Sequence, residues 1–301
     1  MVDTSDEWIV TRTGIRERRI ADENMRTSDM AVNAARNALD MAGVRNEDID
    51  LLIVGTVTPD YRLPSTACIV QQKIGLPNAV AFDVVAACTG FINGLSIATS
   101  FIESGMYKNV LVIGVEKLSA FTNYHDRNTC VLFGDGAGAA VIGPSANGSG
   151  VLSTFARSDG NYAKLLWSEY GGFAHPFTPE YSLNGLDKIT MDGSEVFKVA
   201  VREMAHASEE AIQRAGLTPA DITLVVPHQA NIRIIKALVK RLKLPMKKVF
   251  LNIDKYGNTS AASVPLALDE ANRQGLIKPG DNLLMVAFGG GLIWGSAVVR
   301  W

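Results

Sequence analysis

Short apolar runs alternate with amphipathic stretches along the first half of the chain. Runs of β-branched and other apolar residues are typical of buried strands, and apolar residues at helical spacing indicate helices. These patterns predict helices over residues 27–41, 65–74 and 88–104, strands over 50–54, 81–85 and 109–115, and a glycine-rich turn entering a strand over 133–143. Such an alternation predicts a layered α/β fold.

The second half of the chain repeats this order of elements. Its patterns predict helices over 199–215, 231–243 and 258–274, and strands over 223–226, 249–251, 283–287 and after Phe288. The stretch AGV followed by DIDL within residues 42–51 also resembles AGL followed by DITL within 215–224. The repeats favour a duplication into halves 1–146 and 147–301, although helix–glycine–strand units also converge on such short patterns.

Cys88 lies in the stretch AFDVVAACTGFINGLSIATSFIES, between a predicted strand and a helix made almost wholly of small and apolar residues. A helix that is apolar all round belongs in a core. The unpaired N–H groups and dipole at the start of a helix favour a thiolate. The geometry is that of a nucleophile elbow without its Gly-x-Ser-x-Gly motif. The alternative for Cys88 is a buried structural cysteine.

Composition and charge narrow the class of protein. Apolar residues make up 47% of the chain and charged residues 20%, and the net charge of −2 gives no nucleic-acid signal. Three cysteines without CxxC spacing argue against a disulfide framework and a zinc site. No apolar run is long enough to span a membrane, and the polar opening MVDTSDEW does not read as a signal peptide. We therefore expect a cytoplasmic protein with reduced thiols.

Three further features of the second half are candidates for chemistry. His228 directly follows a predicted strand, where α/β sheets place their ligands. Asn258 precedes a predicted helix, and the glycines after Phe288 let backbone N–H groups approach a ligand closely. Each has an ordinary alternative: a core or surface histidine, a helix N-cap and a tight turn. Together with Cys88 they form a coherent nucleophilic constellation.

Six segments of the chain resemble one known family. They are SDEWIVTRTGIRERR, FDVVAACTGF, FGDGAGAAV, VPHQANIRI, YGNTSAAS and FGGGLIWGSA. They are similar to β-ketoacyl-acyl carrier protein synthase III, the initiating condensing enzyme of fatty-acid synthesis in the thiolase superfamily. The resemblance implies a thiolase-like, five-layered αβαβα fold with two duplicated halves, and a homodimer.

The resemblance also assigns roles to individual residues. It implies that Cys88 is the acylated nucleophile and that His228 and Asn258 assist decarboxylation. It further implies an oxyanion hole from the N–H groups of Cys88 and Gly290, a coenzyme A site at Trp8, Arg12 and Arg127, and an acyl pocket shaped by Leu63 of a partner subunit.

The implied reaction is a transferase reaction of lipid metabolism. A short acyl-CoA primer acylates the cysteine and then condenses with malonyl-acyl carrier protein as carbon dioxide leaves. The coenzyme A thioester is a substrate, and we expect no metal, nicotinamide or flavin cofactor. Two alternatives stay open: an acyltransferase of the same fold that passes the acyl group to an alcohol or amine in secondary metabolism, and a degenerate non-catalytic paralogue.

Residues 231–248 carry seven basic residues and no acidic one. They are Arg233, Lys236, Lys240, Arg241, Lys243, Lys247 and Lys248. A solvated basic face is the ordinary interpretation. The position just after His228 favours an acidic partner, and the resemblance offers acyl carrier protein, with docking expected at Arg233, Lys240 and Arg241. No motif for nucleic-acid recognition accompanies these charges.

One departure from the family concerns the start of the chain. Family members usually begin with a strand before the SDEW segment, whereas this sequence starts at Met1. We therefore expect the first half-sheet to lack one strand and to expose an edge. Residues 170–183 carry no motif that assigns them a role.

Overall fold

The computed structural model describes residues 2–301 and contains two four-stranded sheets and one two-stranded ribbon. The α-helices are α1 Asp6–Thr13, α2 Thr27–Ala42, α3 Thr66–Ile74, α4 Gly90–Glu103, α5 Arg127–Cys130, α6 Pro179–Leu183, α7 Gly193–Arg214, α8 Ile232–Arg241, α9 Ile253–Tyr256 and α10 Ser263–Arg273. The strands are β1 Leu51–Gly55, β2 Val80–Val84, β3 Val110–Lys117, β4 Asp135–Ile142, β5 Gly150–Ser158, β6 Leu166–Trp167, β7 Thr190–Met191, β8 Leu224–Pro227, β9 Asn282–Gly289 and β10 Ile293–Arg300.

The two large sheets share one strand pattern. The first has the order β2-β1-β3-β4, with β4 antiparallel to β3 and the other pairs parallel. The second has the order β5-β10-β9-β8, with β8 parallel to β9 and β10 antiparallel to β9. Val249 also forms a parallel bridge to Val225 at the position that β2 holds beside β1. The topology of β1, β3 and β4 is thus repeated by β8, β9 and β10.

Helices and sheets stack in five layers. Helices α4 and α10 lie between the two sheets, α2 and α3 cover the outer face of the first sheet, and α7 and α8 cover the second. Side chains of β1 alternate accordingly: Leu51 and Ile53 pack into the middle layer, whereas Leu52 and Val54 pack against the outer helices. A strand buried on both faces needs a continuous apolar run. The predicted αβαβα architecture is confirmed.

The middle layer is built from small and apolar residues, as the sequence predicts. Helix α4 buries Phe91, Ile92 and Leu95. Gly94 lies so close to β3 that a Cβ atom there would come within 2.6 Å of Val112 Cγ1. Close approach of a helix to a sheet on both sides therefore depends on residues without bulk at such positions.

Several predicted elements need correction. The helix predicted over 258–274 begins only at Ser263, because residues 258–262 form a loop and a 3₁₀ turn. The strand predicted over 249–251 is a single bridge. The stretch 118–130, whose polar pattern predicts a loop, contains a 3₁₀ turn and α5. The sequence patterns also missed α1 and β5, and residues 179–183 form α6.

The outer edge of β4 pairs with no other strand within residues 2–301, whereas β5 occupies the equivalent edge of β10. The predicted boundary at 146/147 falls between β4 and β5, and the division into halves stays a prediction. Within the described residues, none of the helices is long and apolar enough to cross a membrane.

Candidate active site

Cys88 lies in a 3₁₀ turn, Ala87–Thr89, that joins the end of β2 to α4. Ala87 has φ of 44°, a left-handed conformation that a residue with a Cβ adopts only under constraint. Cys88 is 8% exposed, and burial raises the pKa of its thiol to about 12. Burial therefore disfavours the thiolate form of Cys88, whereas the N-terminus of the helix favours it.

Two glycines allow the backbone to close around this turn. A Cβ atom on Gly289 would come within 2.6 Å of the Cys88 backbone nitrogen, and one on Gly55 within 2.7 Å of the Gly90 carbonyl carbon. Only glycine permits approaches this close. The first contact places the β9–β10 turn, from the second half of the chain, directly against the cysteine.

His228 follows β8 and is 2% exposed. Its backbone N–H donates to the Val286 carbonyl at 2.8 Å, which holds the residue beside β9. Its Nδ1 atom has no hydrogen-bond partner within residues 2–301. Burial lowers the pKa of the imidazole to about 4. At neutral pH the ring is therefore uncharged, with one nitrogen free to donate or accept a hydrogen bond.

Asn258 lies in a loop, where two hydrogen bonds of its own backbone hold it in place. Its N–H donates to the Leu132 carbonyl at 2.8 Å, and its carbonyl accepts from the Gly134 N–H at 3.0 Å. Its side-chain Oδ1 accepts from the Ser260 N–H at 2.9 Å. The amide nitrogen is the part of the side chain that remains to donate to a ligand. Asn258 is not the N-cap of α10, which begins after Ala262.

One cavity of about 1120 Å³ brings together seven of the predicted residues. They are Cys88, His228 and Asn258, together with Trp8, Arg12, Arg127 and Arg233. The first half of the chain supplies the thiol, and the second half supplies the imidazole and the amide. Phe288 and the apolar side chains of Leu166, Val196 and Met204 are also part of its wall.

Trp8 is flanked by two arginines in this cavity. The guanidinium carbon of Arg12 lies 5.8 Å from the Trp8 ring centroid and that of Arg127 lies 5.0 Å away. Arg127 also donates to the Asp3 carbonyl at 3.0 Å. An aromatic ring near two guanidinium groups suits a ligand that carries both a flat ring and phosphates.

Four predicted site residues do not line the cavity. Gly290 directly follows Gly289, which contacts Cys88. Leu63 is 87% exposed on the loop after β1, and Lys240 and Arg241 are exposed in the last turn of α8. The roles of all four stay predictions. The ammonium group of Lys248, in the basic stretch, donates hydrogen bonds to the carbonyls of Ala220 and Ile222. Lys248 therefore has a structural role.

Glu116 and Ser260 were missed by the sequence patterns. Glu116 is fully buried near the end of β3, and Ser260 is 3% exposed in the turn after Asn258. The one available signal was Glu116, an acidic residue that directly follows the apolar run VLVIGV. Within residues 2–301, no cluster of three or more histidine, cysteine or acidic side chains is arranged to hold a metal ion.

The thiolase-like condensing enzymes have two similar α/β halves, with two central helices between their sheets. A thiol lies at the start of one of these central helices. A family model described as 3-oxoacyl-[acyl-carrier-protein (ACP)] synthase III matches residues 82–160, and its C-terminal counterpart matches residues 212–301. The chain belongs to the β-ketoacyl-acyl carrier protein synthase III family, and it is a condensing acyltransferase.

Individual relatives agree over the full length of the chain. The β-ketoacyl-[acyl-carrier-protein] synthases III of Caldanaerobacter subterraneus subsp. tengcongensis and Clostridioides difficile are each 58% identical over 301 residues, which cover 100% of this chain and 91% and 92% of the relatives. The crystal structure of 3-oxoacyl-[acyl-carrier-protein] synthase III from Aquifex aeolicus superposes with a TM-score of 0.93 at 50% identity, covering 99% of this chain and 92% of that one. The family expected from the sequence motifs is thus confirmed.

Proposed function

We propose that the protein condenses a short acyl-CoA primer with malonyl-acyl carrier protein to begin fatty-acid synthesis. The observation that carries the proposal is the single cavity that Cys88, His228 and Asn258 line together with Trp8, Arg12 and Arg127. The names of the relatives support acyl carrier protein as a substrate.

The first step is acylation of Cys88. The Cys88 thiol loses its proton to solvent, and its sulfur bonds to the acyl carbonyl carbon. The bond from that carbon to the coenzyme A sulfur breaks, and coenzyme A takes up a proton and leaves as the free thiol. The N–H groups of Cys88 and Gly290 stabilise the charge that develops on the carbonyl oxygen. Trp8, Arg12 and Arg127 hold the coenzyme A while the apolar wall receives the acyl chain.

The second step is decarboxylation of malonyl-acyl carrier protein. The malonyl carboxylate leaves as carbon dioxide, and the electron pair forms an enolate whose oxygen carries the charge. A neutral His228 and the Asn258 amide donate hydrogen bonds to that oxygen. The enolate carbon then bonds to the acyl carbon on Cys88, and the carbon–sulfur bond breaks to release the Cys88 thiolate.

No further cofactor takes part in this reaction scheme, because the thioester and the carboxylate supply the driving force. Arg233, at the cavity, and Lys240 and Arg241, further along α8, form a basic surface for the acidic carrier protein. The proposed partners are acyl-CoA, acyl carrier protein and a second copy of the chain, with no nucleic acid or membrane, and the proposed location is the cytoplasm.

The proposal includes a homodimer. Leu63 and Phe173 are each 87% exposed, and Arg62 connects their loops by stacking on Phe173 at 4.9 Å and donating to the Gly171 carbonyl. Exposed apolar side chains on neighbouring loops are typical of an interaction surface. Leu63 of one subunit would shape the acyl pocket of its partner.

Incubation with acetyl-CoA and malonyl-acyl carrier protein tests the function, with the acyl carrier product read by mass spectrometry. We expect acetoacetyl-acyl carrier protein from the wild type. His228→Ala and Asn258→Ala should each lower malonyl decarboxylation by about a hundredfold or more while Cys88 is still acetylated. Acetyl transfer to added alcohols or amines without a condensation product would contradict the proposal.

A further inference from the structure

Buried hydrogen bonds fix the peptide groups on both sides of His228. Its own N–H donates to the Val286 carbonyl of β9, and the next N–H along the chain, that of Gln229, donates to the Ser263 hydroxyl at 2.7 Å. Ser263 is 2% exposed and is the first residue of α10. A residue has only two soft backbone dihedrals, and both lie between its flanking peptide planes. Val286 and Ser263 therefore together set the direction in which the imidazole leaves the backbone.

Ser263 also adjoins the segment that carries Asn258. Residues 258–262 form the loop and 3₁₀ turn that lead directly into α10. The Asn258 side chain is fixed within this segment, because its Oδ1 atom accepts from a backbone N–H of the 3₁₀ turn at 2.9 Å. The segment itself is held against β3, where a Cβ atom on Gly114 would come within 2.1 Å of the Ala261 carbonyl oxygen. The Ser263 hydroxyl thus links the backbone of the imidazole to the segment of the amide.

The Gln229 side chain supplies a second link to α10. Gln229 is 1% exposed, and its Nε2 atom donates to the carbonyls of Pro227 at 2.9 Å and Phe250 at 3.2 Å. Its Oε1 atom accepts from the Asn252 N–H at 3.3 Å, and the Asn252 side-chain amide donates to Glu270 of α10 at 3.1 Å. The Gln229 carboxamide therefore uses both of its N–H donors and its oxygen. A fully satisfied buried network of this kind holds a single geometry.

We propose that Ser263 and Gln229 are positioning residues, which hold the His228 imidazole in the orientation toward the Asn258 amide that malonyl decarboxylation requires. The proposal rests on the proposed function, because it concerns the two donors that stabilise the enolate in that reaction. Neither Ser263 nor Gln229 lines the cavity, so both act through the backbone of His228.

The reaction makes this orientation demanding, because two donors must meet one enolate oxygen. A hydrogen bond weakens steeply when its angle departs from linear, and a displacement of about 1 Å in a preorganised site costs about a hundredfold in rate. Removing the Ser263 hydroxyl leaves the Gln229 N–H buried without its partner, which is unfavourable unless the backbone after His228 moves. Such a movement changes the angle at which the imidazole meets the enolate.

The hydrogen bonds of Cys88 and its turn are separate from this network. The turn precedes α4, and its backbone packs against Gly289. Neither residue takes part in the network around Gln229, which joins β8, residues 250–252 and α10. Acylation of Cys88 therefore reports a general loss of structure, whereas decarboxylation also reports a change at His228.

The test compares Ser263→Ala with wild type in three measurements. They are kcat and KM for decarboxylation of malonyl-acyl carrier protein, and the rate of Cys88 acetylation by acetyl-CoA. We expect kcat for decarboxylation to fall by about tenfold or more. KM and the acetylation rate should stay within about twofold of wild type, because losing an interaction that acts only in the transition state lowers kcat without changing KM.

Ser153→Ala is the matched control. The Ser153 hydroxyl also links two elements, because it donates from β5 to the Ala211 carbonyl of α7 at 2.6 Å. The same substitution there should leave all three measurements unchanged. The proposal would be overturned if Ser263→Ala decarboxylates within about twofold of wild type, or if it loses acetylation and decarboxylation to the same extent.

The position of the imidazole can also be read directly by NMR. The chain has four histidines, so protein labelled at histidine Cε1 gives four ring resonances, and His228→Ala identifies one of them. Ser263→Ala should shift the His228 resonance and leave the other three in place, whereas Ser153→Ala should leave the His228 resonance unshifted. A His228 resonance that does not move in Ser263→Ala would count against the proposal.

If Ser263→Ala does not fold, Gln229→Met decides. Methionine is unbranched and adaptable, so it fills the space of the glutamine without its side-chain hydrogen bonds, and the backbone N–H can still donate to Ser263. Gln229→Met should lower kcat for decarboxylation by about threefold or more at an unchanged acetylation rate. Equal loss in both reactions, or no loss in either, would contradict the proposal.

The NMR measurement separates this proposal from the proposed function. A wild type that does not decarboxylate malonyl-acyl carrier protein, or whose decarboxylation is unchanged in His228→Ala, contradicts the proposed function. The His228 resonance in Ser263→Ala would still decide whether the Ser263 hydroxyl positions the ring.

Discussion

His228 and Glu116 are two buried ionisable residues, and burial shifts their pKa values in opposite directions. Burial disfavours the charged form of each, so it lowers the pKa of His228 and raises that of Glu116. At pH 7 the imidazole of His228 is therefore neutral, whereas the Glu116 carboxyl is about half protonated. A neutral imidazole can donate a hydrogen bond to a developing enolate.

The pH dependence of folding stability should report these two shifts. Between about pH 4.5 and 7 the unfolded Glu116 has lost its proton while the folded one keeps it, so this residue makes stability fall as pH rises. Between about pH 4 and 6.5 the unfolded His228 holds a proton that the folded one has lost, so this residue makes stability rise. In the wild type the two slopes oppose each other.

Denaturant unfolding from pH 4 to 7.5 separates the two residues. Relative to wild type, the unfolding free energy of Glu116→Gln should increase with pH, and that of His228→Ala should decrease, each at up to about 1.4 kcal/mol per pH unit. Parallel curves for both variants and the wild type would show that neither pKa is shifted by folding.

At the scale of elements, the site depends on turns that approach closely across layers. The turn before α4 meets the β9–β10 turn at Gly289, and the 3₁₀ turn before α10 meets β3 at Gly114. These contacts explain why the thiol, the imidazole and the amide converge although they belong to separate supersecondary units.

Gly114→Ala tests the contact with β3. The added methyl would overlap the Ala261 carbonyl oxygen at 2.1 Å, so the turn that carries Ser260 must move. We expect a loss of about 1–3 kcal/mol or more in unfolding free energy and slower Cys88 modification. The control is Gly160→Ala, where no atom lies within 4 Å of the new Cβ. Equal effects of the two substitutions would contradict the packing account.

The basic surface of α8 gives a second prediction at this scale. Lys240→Glu with Arg241→Glu should raise KM for malonyl-acyl carrier protein and weaken its dependence on salt, because an array of charges steers encounter. Acetylation by acetyl-CoA should be unchanged, since neither residue lines the cavity. Arg36→Glu with Lys108→Glu makes the same change of charge elsewhere. Equal effects of the two pairs of substitutions would show that the basic residues of α8 form an ordinary solvated face.

The sequence patterns predicted an element best where a single requirement, such as burial on both faces, determines which residues it contains. β1 and β3 are buried on both faces, so their apolar runs are unmistakable. β5 mixes small, polar and apolar residues, and its pairing with β10 is a long-range contact that no local pattern shows. The start of α10 was misplaced because Asn258 and Ser260 hold a strained turn whose cause is tertiary packing.

At the scale of the whole molecule, the cavity joins residues from both ends of the chain. Trp8 and Cys88 come from the first half, and His228, Asn258 and Phe288 from the second. The motifs predicted Cys88, His228 and Asn258 as site residues, and the fold brings the three to one cavity. They could not predict the hydrogen bond from Ser260 to the buried Glu116, because it joins a turn and a strand that only the fold brings together.

The most direct test of this account is intact-protein mass spectrometry after incubation with acetyl-CoA alone, followed by peptide mapping. We predict one acetyl group per chain, located on Cys88, and no adduct on Cys88→Ser. The adduct should disappear when malonyl-acyl carrier protein is added, as the acetyl group enters the product. An acetyl group that persists in Cys88→Ser, or one on Cys88 that malonyl-acyl carrier protein does not discharge, would contradict the account.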